Sequence, residues 1–211
     1  MPVPVPIPRT ALTLGALVGV ALLLVLGVDR GTRSLVESTR ARVLERTLVE
    51  VLPAANGDEP VRGAPAPERI VPAPDATEPY APRWIEWRRI DGRPAGMAMS
   101  VIAPDGYNGD IALLVGVRVD GTISGVRVTD HRETPGLGDD IERRRSDWIT
   151  RFDGLSLDTV PPSDWAVRRH GGRFDAFTGA TITPQAVVDA VHGALSWAER
   201  HGTLRGAGAS R

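Results

Sequence analysis

Residues 10–28 read TALTLGALVGVALLLVLGV, an uncharged run whose only polar side chains are two threonines. Nineteen residues rising about 1.5 Å each cover roughly 28 Å, close to the hydrocarbon thickness of a bilayer. The run stops at Asp29-Arg30-Gly31 with no small-residue cleavage pattern, which predicts an uncleaved transmembrane anchor rather than a removable signal peptide. Gly15 and Gly19 form a small-xxx-small pair suited to docking on another membrane helix, although glycine is common in such helices anyway. Ahead of the anchor, residues 1–9 alternate proline with aliphatics and predict a short extended tail.

Behind the anchor the pattern changes twice. Across residues 32–52, Leu35, Val36, Val43, Leu44, Leu48, Val51 and Leu52 keep helical spacing, with Thr39 and Thr47 in the same stripe and Arg and Glu opposite. This predicts a stalk helix. Residues 53–82 carry eight prolines and read as a linker without regular elements. From Trp84 onward the period becomes two. Strands are predicted at 83–90 and 93–103 around Asp91-Gly92, and at 111–119 and 122–130 around Asp120-Gly121.

Residues 139–152 predict a helix carrying Ile141, Trp148, Ile149 and Phe152, and residues 165–168 a short strand. The last helix is predicted to start at Pro184, with Thr183 as its cap and Gly202 at its end. Its buried stripe would be Val187, Ala190, Val191, Ala194, Leu195 and Ala198. The whole is an α+β chain: an antiparallel sheet with packed helices over 83–202, preceded by the transmembrane helix and stalk and followed by a flexible tail at 203–211.

Composition narrows the chemistry. The chain has 211 residues and no cysteine, which excludes disulfides, thiolate metal sites and thiol catalysis. Every basic residue is arginine, so lysine-dependent phosphate loops and Schiff bases are excluded as well. A net charge of −1 gives no reason to expect nucleic acid as a partner. The four histidines, at 131, 170, 192 and 201, lack ligand-pair spacing, and no metal site is expected.

Two segments remain as candidate chemistry. Glu133-Thr134-Pro135-Gly136-Leu137-Gly138 lies between a strand and a predicted helix, where glycine and proline permit a sharp turn and a close ligand approach. Asp175-Ala176-Phe177-Thr178-Gly179-Ala180-Thr181-Ile182-Thr183-Pro184 runs into the last helix, whose amino terminus suits a phosphate. Taken singly, each is more readily read as an ordinary connection.

Together they closely resemble the covalent FMN-binding domain family. That family includes the G-type protein of the Rnf electron-transport complex and the C-type protein of the Na⁺-translocating NADH:quinone reductase. Gly106-Tyr107-Asn108-Gly109 before the third strand fits that family too, and the length favours the Rnf type. The resemblance implies FMN esterified through its phosphate to Thr181, placed there from FAD by a flavin transferase. It places Asp175, Thr178, Gly179, Ala180 and Thr183 around the attachment point. Glu133, Thr134, Gly136, Leu137 and Gly138 would lie against the isoalloxazine ring.

The function implied is a one-electron relay in a membrane complex that couples ferredoxin/NAD electron transfer to Na⁺ or H⁺ transport. Other integral membrane subunits and membrane lipid would be its partners, and no catalytic residue or stand-alone catalysis is expected. The alternatives are the quinone-reductase protein and a flavin-bearing sensor. Topology divides the signals. Arg30, Arg33, Arg40, Arg42 and Arg46 follow the anchor while only Arg9 precedes it, so the positive-inside rule places the domain in the cytoplasm. The resemblance implies a single-pass protein of the bacterial inner membrane with its domain on the periplasmic side.

Overall fold

The computed structural model describes residues 9–52, 68–70, 78–90 and 93–202. The tail at 1–8, most of the linker, the Asp91-Gly92 turn and residues 203–211 lie outside them. The chain divides into two compact units, Met1–Leu44 and Glu45–Arg211.

Helix α1 (Arg9–Val51) joins the expected anchor and stalk, which corrects their separation at Asp29-Arg30-Gly31. No proline interrupts that stretch, and one interior glycine costs only about 1 kcal/mol, too little to end a long helix. In the first unit every described side chain from 13 to 27 is exposed, and Leu14, Leu17 and Leu23 are each about two-thirds exposed. Among the described residues no helix is long and apolar enough to cross a membrane. The side chains of 9–12 and 28–30 lie outside that set, as do those of 32–42 with the upper part of the stalk stripe.

In the second unit, strands β1 (Glu68–Ile70), β2 (Trp84–Ile90), β3 (Arg93–Ala103), β4 (Ile111–Arg118) and β5 (Ile123–Asp130) pair in sequence order. Every pairing is antiparallel. β1 corrects the expectation of a linker without regular elements. Four proline-free residues between Pro67 and Pro72 are enough for an edge strand, with Arg69 opposite Glu86.

Alternation splits the sheet into two faces. Met97, Met99, Val101, Leu113, Val115, Val117 and Ile123 join the main core with helix α2 (Ile182–Arg200). The predicted α2 stripe is buried throughout, and Ala186, Val188 and Trp197 widen it.

Leu48, Val51, Leu52, Ala98 and Leu114 are buried outside that core. Here the last turns of α1 are seated on the sheet. Gly116 stands opposite Gly125, and a register shift at Gly116/Val117 leaves Ser124 free to donate its hydroxyl to the Val51 carbonyl at 2.5 Å. Arg127 Nε pairs with Glu50 Oε2 at 2.8 Å beside it. A Cβ on Gly116 would be driven into the Val51 carbonyl, so glycine is required there by close approach. Val43, by contrast, is half exposed, so among its described side chains the predicted stripe is buried at Leu48, Val51 and Leu52.

Three further expectations are corrected. Residues 139–152 form two 3₁₀ turns, Asp139–Ile141 and Trp148–Phe152, rather than one helix. Between them Glu142 is extended (ψ 132°), and Ser146 Oγ donates to the Asp140 carbonyl while accepting the Trp148 N–H, which competes with helical pairing. The predicted strand at 165–168 reduces to one parallel bridge from Val167 to Phe174, followed by a 3₁₀ turn at Arg168–His170. Helix α2 begins at Ile182, so Thr183 is inside the first turn and fully buried rather than capping.

Candidate functional site

Two tight turns of the same kind face each other in front of α2. In the first, Leu137 N–H donates to the Thr134 carbonyl at 3.1 Å, with Pro135 and Gly136 (φ 77°) between them. In the second, Ala180 N–H donates to the Phe177 carbonyl at 3.1 Å, with Thr178 and Gly179 (φ 79°) between them. Both follow type II geometry, which requires a positive φ at the third residue and therefore favours glycine. The turns nearly touch: a Cβ at Gly179 would lie 3.8 Å from Leu137 Cδ2.

Buried Glu133 fixes their relation. Its Oε2 accepts the Thr183 hydroxyl at 2.5 Å and its Oε1 accepts the Asn108 N–H at 3.1 Å. One carboxylate thus ties the Gly106–Gly109 turn, the Glu133–Gly138 segment and the start of α2 together. Asn108 Nδ2 adds a bond to Thr134 Oγ1 at 3.1 Å. Glu133 and Thr183, expected as cofactor contacts, are engaged with each other and line the cleft's floor.

The neighbouring groups brace the first turn. Gly136 N–H donates to buried Asp139 Oδ1 at 2.7 Å, and Arg145 holds the other oxygen at 3.1 Å. His131 Nδ1 accepts the Glu133 N–H, which leaves Nε2 to donate to Glu142 at 2.9 Å and assigns the neutral tautomer. Hydrogen bonding from Arg144, with His131 adding to it, holds the Glu142 carboxyl below the usual carboxylate range despite partial burial.

The second turn hangs from an aromatic cluster. Phe152 stacks on Phe174 at 4.6 Å, and Trp148 meets Phe177 edge-on at 5.2 Å. Trp148 Nε1 donates to the Asp175 carbonyl at 2.8 Å. The Asp175 carboxylate is taken by Arg151 at 2.9 Å and Arg168 at 3.2 Å, so it fixes the turn from within. Thr178 and Gly179 are exposed at the tip.

Thr181 lies where two clefts meet. One, of about 220 Å³, is formed by Tyr107, Glu133, Thr134, Leu137, Gly138 and residues 179–183. Its rim is apolar, with Tyr107 66%, Leu137 46% and Ile182 52% exposed. The other, of about 350 Å³, is lined by Asp105, Arg169, His170, Thr181, Gln185 and Asp189 together with Ile182 and Ala186. There burial raises the Asp189 carboxyl against the Gln185 hydrogen bond; outside that lining, the Tyr80 phenol is raised by burial and then by Asp189 and Asp105. Thr181 makes no capping bond; its Oγ1 accepts from Arg169 Nη1 at 3.2 Å.

The structure therefore gathers Glu133, Thr134, Leu137, Gly138, Gly179, Ala180, Thr181 and Thr183 around one cleft. Asp175 and Gly136 stand behind it as supports, and Thr178 stands at its lip. Tyr107, Ile182 and Arg169 were absent from the sequence-derived site. The one sequence signal for Arg169 is Gly171-Gly172, which reverses the chain after it and brings Arg168–His170 beside the Thr181 segment.

Glu133→Ala is expected to leave the Thr183 hydroxyl buried and unpaired, at a cost of about 1–3 kcal/mol. Glu133→Gln retains an acceptor for Asn108 and offers an amide to Thr183, so most of the loss should be recovered. Thermal melting of the two variants checks this, and an unchanged Tm in Glu133→Ala would show that the carboxylate holds nothing together.

Residues 106–196 match the FMN-binding domain family. The chain is 43% identical over 191 residues to the G-type protein of the ion-translocating oxidoreductase complex from Pseudomonas aeruginosa (strain UCBPP-PA14), spanning 90% of this chain and 87% of that one. It is 53% identical over 111 residues to the protein of the same name from Vibrio cholerae serotype O1 (strain M66-2), spanning 53% of each. A crystal structure of Shewanella oneidensis NqrC superposes on 60% of this chain and 61% of its own, with 24% identity and a TM-score of 0.46. The extent of the Pseudomonas match places this chain in the family of G-type proteins of the ion-translocating oxidoreductase complex, with an FMN-binding domain over residues 106–196.

Proposed function

We propose that this chain is the membrane-anchored flavoprotein of an Rnf-type complex, relaying single electrons through FMN esterified to Thr181 Oγ1. The observation that carries the reading is the convergence of the two turns on the Thr181 hydroxyl, at the edge of an apolar-rimmed cleft. The residues present suit the group. Thr181 is partly exposed, the neighbouring Gly179 keeps the approach open, and Tyr107, Leu137 and Ile182 offer apolar surface for a flat ring. Bound FMN would supply the redox chemistry, while the protein supplies position and electrostatics.

Each residue then has a limited task. Thr181 carries the ester. Leu137 borders the ring, while Glu133 and Asp175 keep the two turns in register. A threonine hydroxyl is a weak nucleophile unaided, and no side chain among the described residues is placed as its general base, so activation belongs to a flavin transferase acting on the Thr178–Thr181 tip.

The anchor at 10–28 would cross the inner membrane once, with 29–211 on the periplasmic side. The row of exposed aliphatic side chains from 13 to 27 supports contact with lipid or with other membrane proteins of the complex. A reporter active only in the cytoplasm, fused after Arg211, should give no signal. Strong activity would reverse the topology in favour of the arginine bias after the helix. In-gel fluorescence of the denatured protein, co-expressed with a flavin transferase, should show covalent flavin, and a dark band would refute the relay.

A further inference from the structure

We propose that Arg169 is the counter-cation of the phosphodiester at Thr181, a positioning residue that holds the flavin's tether on one side of α2. The proposal rests on the assignment of the ester to Thr181 and goes beyond it by naming the group that receives the phosphate. Arg169 Nη1 already donates to Thr181 Oγ1 at 3.2 Å, so the guanidinium stands where the ester's charge would develop.

Its neighbours are committed elsewhere. Arg168 and Arg151 share the Asp175 carboxylate, and Arg145 holds Asp139. Among the described residues, Arg169 has no carboxylate partner, and the Thr181 hydroxyl is its one side-chain hydrogen-bond partner. A hydrogen bond from a solvent-screened, exposed guanidinium to a hydroxyl adds little to folding, so stability alone gives this arrangement no purpose.

The same cleft presents Asp105 and Asp189. A phosphodiester beside them would be repelled unless a cation stood between. His170 is the other basic residue on that wall, and its Nδ1 is taken up by Gln185 Oε1 at 3.1 Å. A guanidinium fits the task better than a point charge, because its planar fork can reach two non-bridging phosphate oxygens together. With the phosphate held there, the ring is left to the neighbouring cleft, rimmed by Tyr107 and Leu137, that Thr181 also borders.

The test uses full-length protein co-expressed with a flavin transferase, as wild type, Arg169→Ala, Arg169→Lys and, as a charge-matched control, Arg173→Ala at an exposed neighbour. The first readout is the phosphorus NMR line of the attached phosphodiester, and the second is the rate of flavin incorporation with limiting transferase. Arg169→Ala should shift the line and slow incorporation by up to about fivefold, the range of one partly screened ion pair. Arg169→Lys should recover most of both, and Arg173→Ala should match wild type. An unmoved line in Arg169→Ala overturns the proposal, even if incorporation slows, because Arg169 would then act only on the transferase. It would leave the Thr181 assignment standing. Absence of flavin from Thr181 in the wild type would overturn both.

Discussion

Thr181→Ala is expected to abolish covalent flavin completely while the domain stays folded. The hydroxyl forms no helix cap and, among the described residues, receives one hydrogen bond, from exposed Arg169, so its removal strands no buried group there. The stability cost should stay below about 1 kcal/mol. Thr181→Ser keeps the ester oxygen and should be modified in part. Thr178→Ala, at the exposed tip, should still carry flavin. Thr183→Ala behaves differently. It leaves the ester site intact but removes the hydroxyl that Glu133 holds inside the protein, so it should lower Tm while keeping flavin on the folded fraction. In-gel fluorescence separates these outcomes, and Thr181→Ala fluorescing like wild type would move the ester to another hydroxyl.

Gly116→Val should be the most damaging single change in the described domain outside the flavin site. Its side chain would be forced against the Val51 carbonyl and Ser124 hydroxyl, where the end of α1 lies on the sheet. Neither neighbour can yield easily, since one is helix backbone and the other is bonded to it at 2.5 Å. Overpacking of this kind costs about 1–3 kcal/mol, roughly a 2–12 °C fall in Tm for a chain of this size. Gly125→Ala, where a Cβ would meet Glu50 and Val51 at an ordinary 3.4 Å, should be nearly neutral. Limited proteolysis after Arg46 should accelerate in Gly116→Val alone. Equal protection and equal Tm in both variants would mean that α1 is not held by this pair of strands.

Much of the fold was legible because one physical signal dominated each element. Two apolar, β-branched-rich runs flanking Asp120-Gly121 mark β4 and β5 within a residue or two, and the Val187–Ala198 stripe marks α2. Errors arose where a second signal competed. Ile141, Trp148, Ile149 and Phe152 have helical spacing, yet Ser146 diverts two backbone groups and the segment settles as separate 3₁₀ turns. Thr183 before Pro184 looks like a cap until the tertiary structure supplies Glu133, fifty residues away, as its partner.

The site divides in the same way. The glycines and Thr181 could be picked out because backbone requirements and a recognisable pair of segments mark them. Asp175 belongs to the recognisable segment, but its engagement by Arg151 and Arg168 depends on packing that no local pattern reveals. Arg169 was invisible among so many arginines. Only the reversal at Gly171-Gly172 brings it to the threonine hydroxyl.

Attachment of the flavin to Thr181 Oγ1 can be read from peptide mass mapping. Because every basic residue is arginine, trypsin should release residues 174–200 as one peptide containing Thr178, Thr181 and Thr183. From protein matured with a flavin transferase, that peptide should be heavier by one FMN less one water, with fragment ions assigning the addition to Thr181. An unmodified peptide, or an addition assigned to Thr178 or Thr183, would rule out Thr181 as the attachment site.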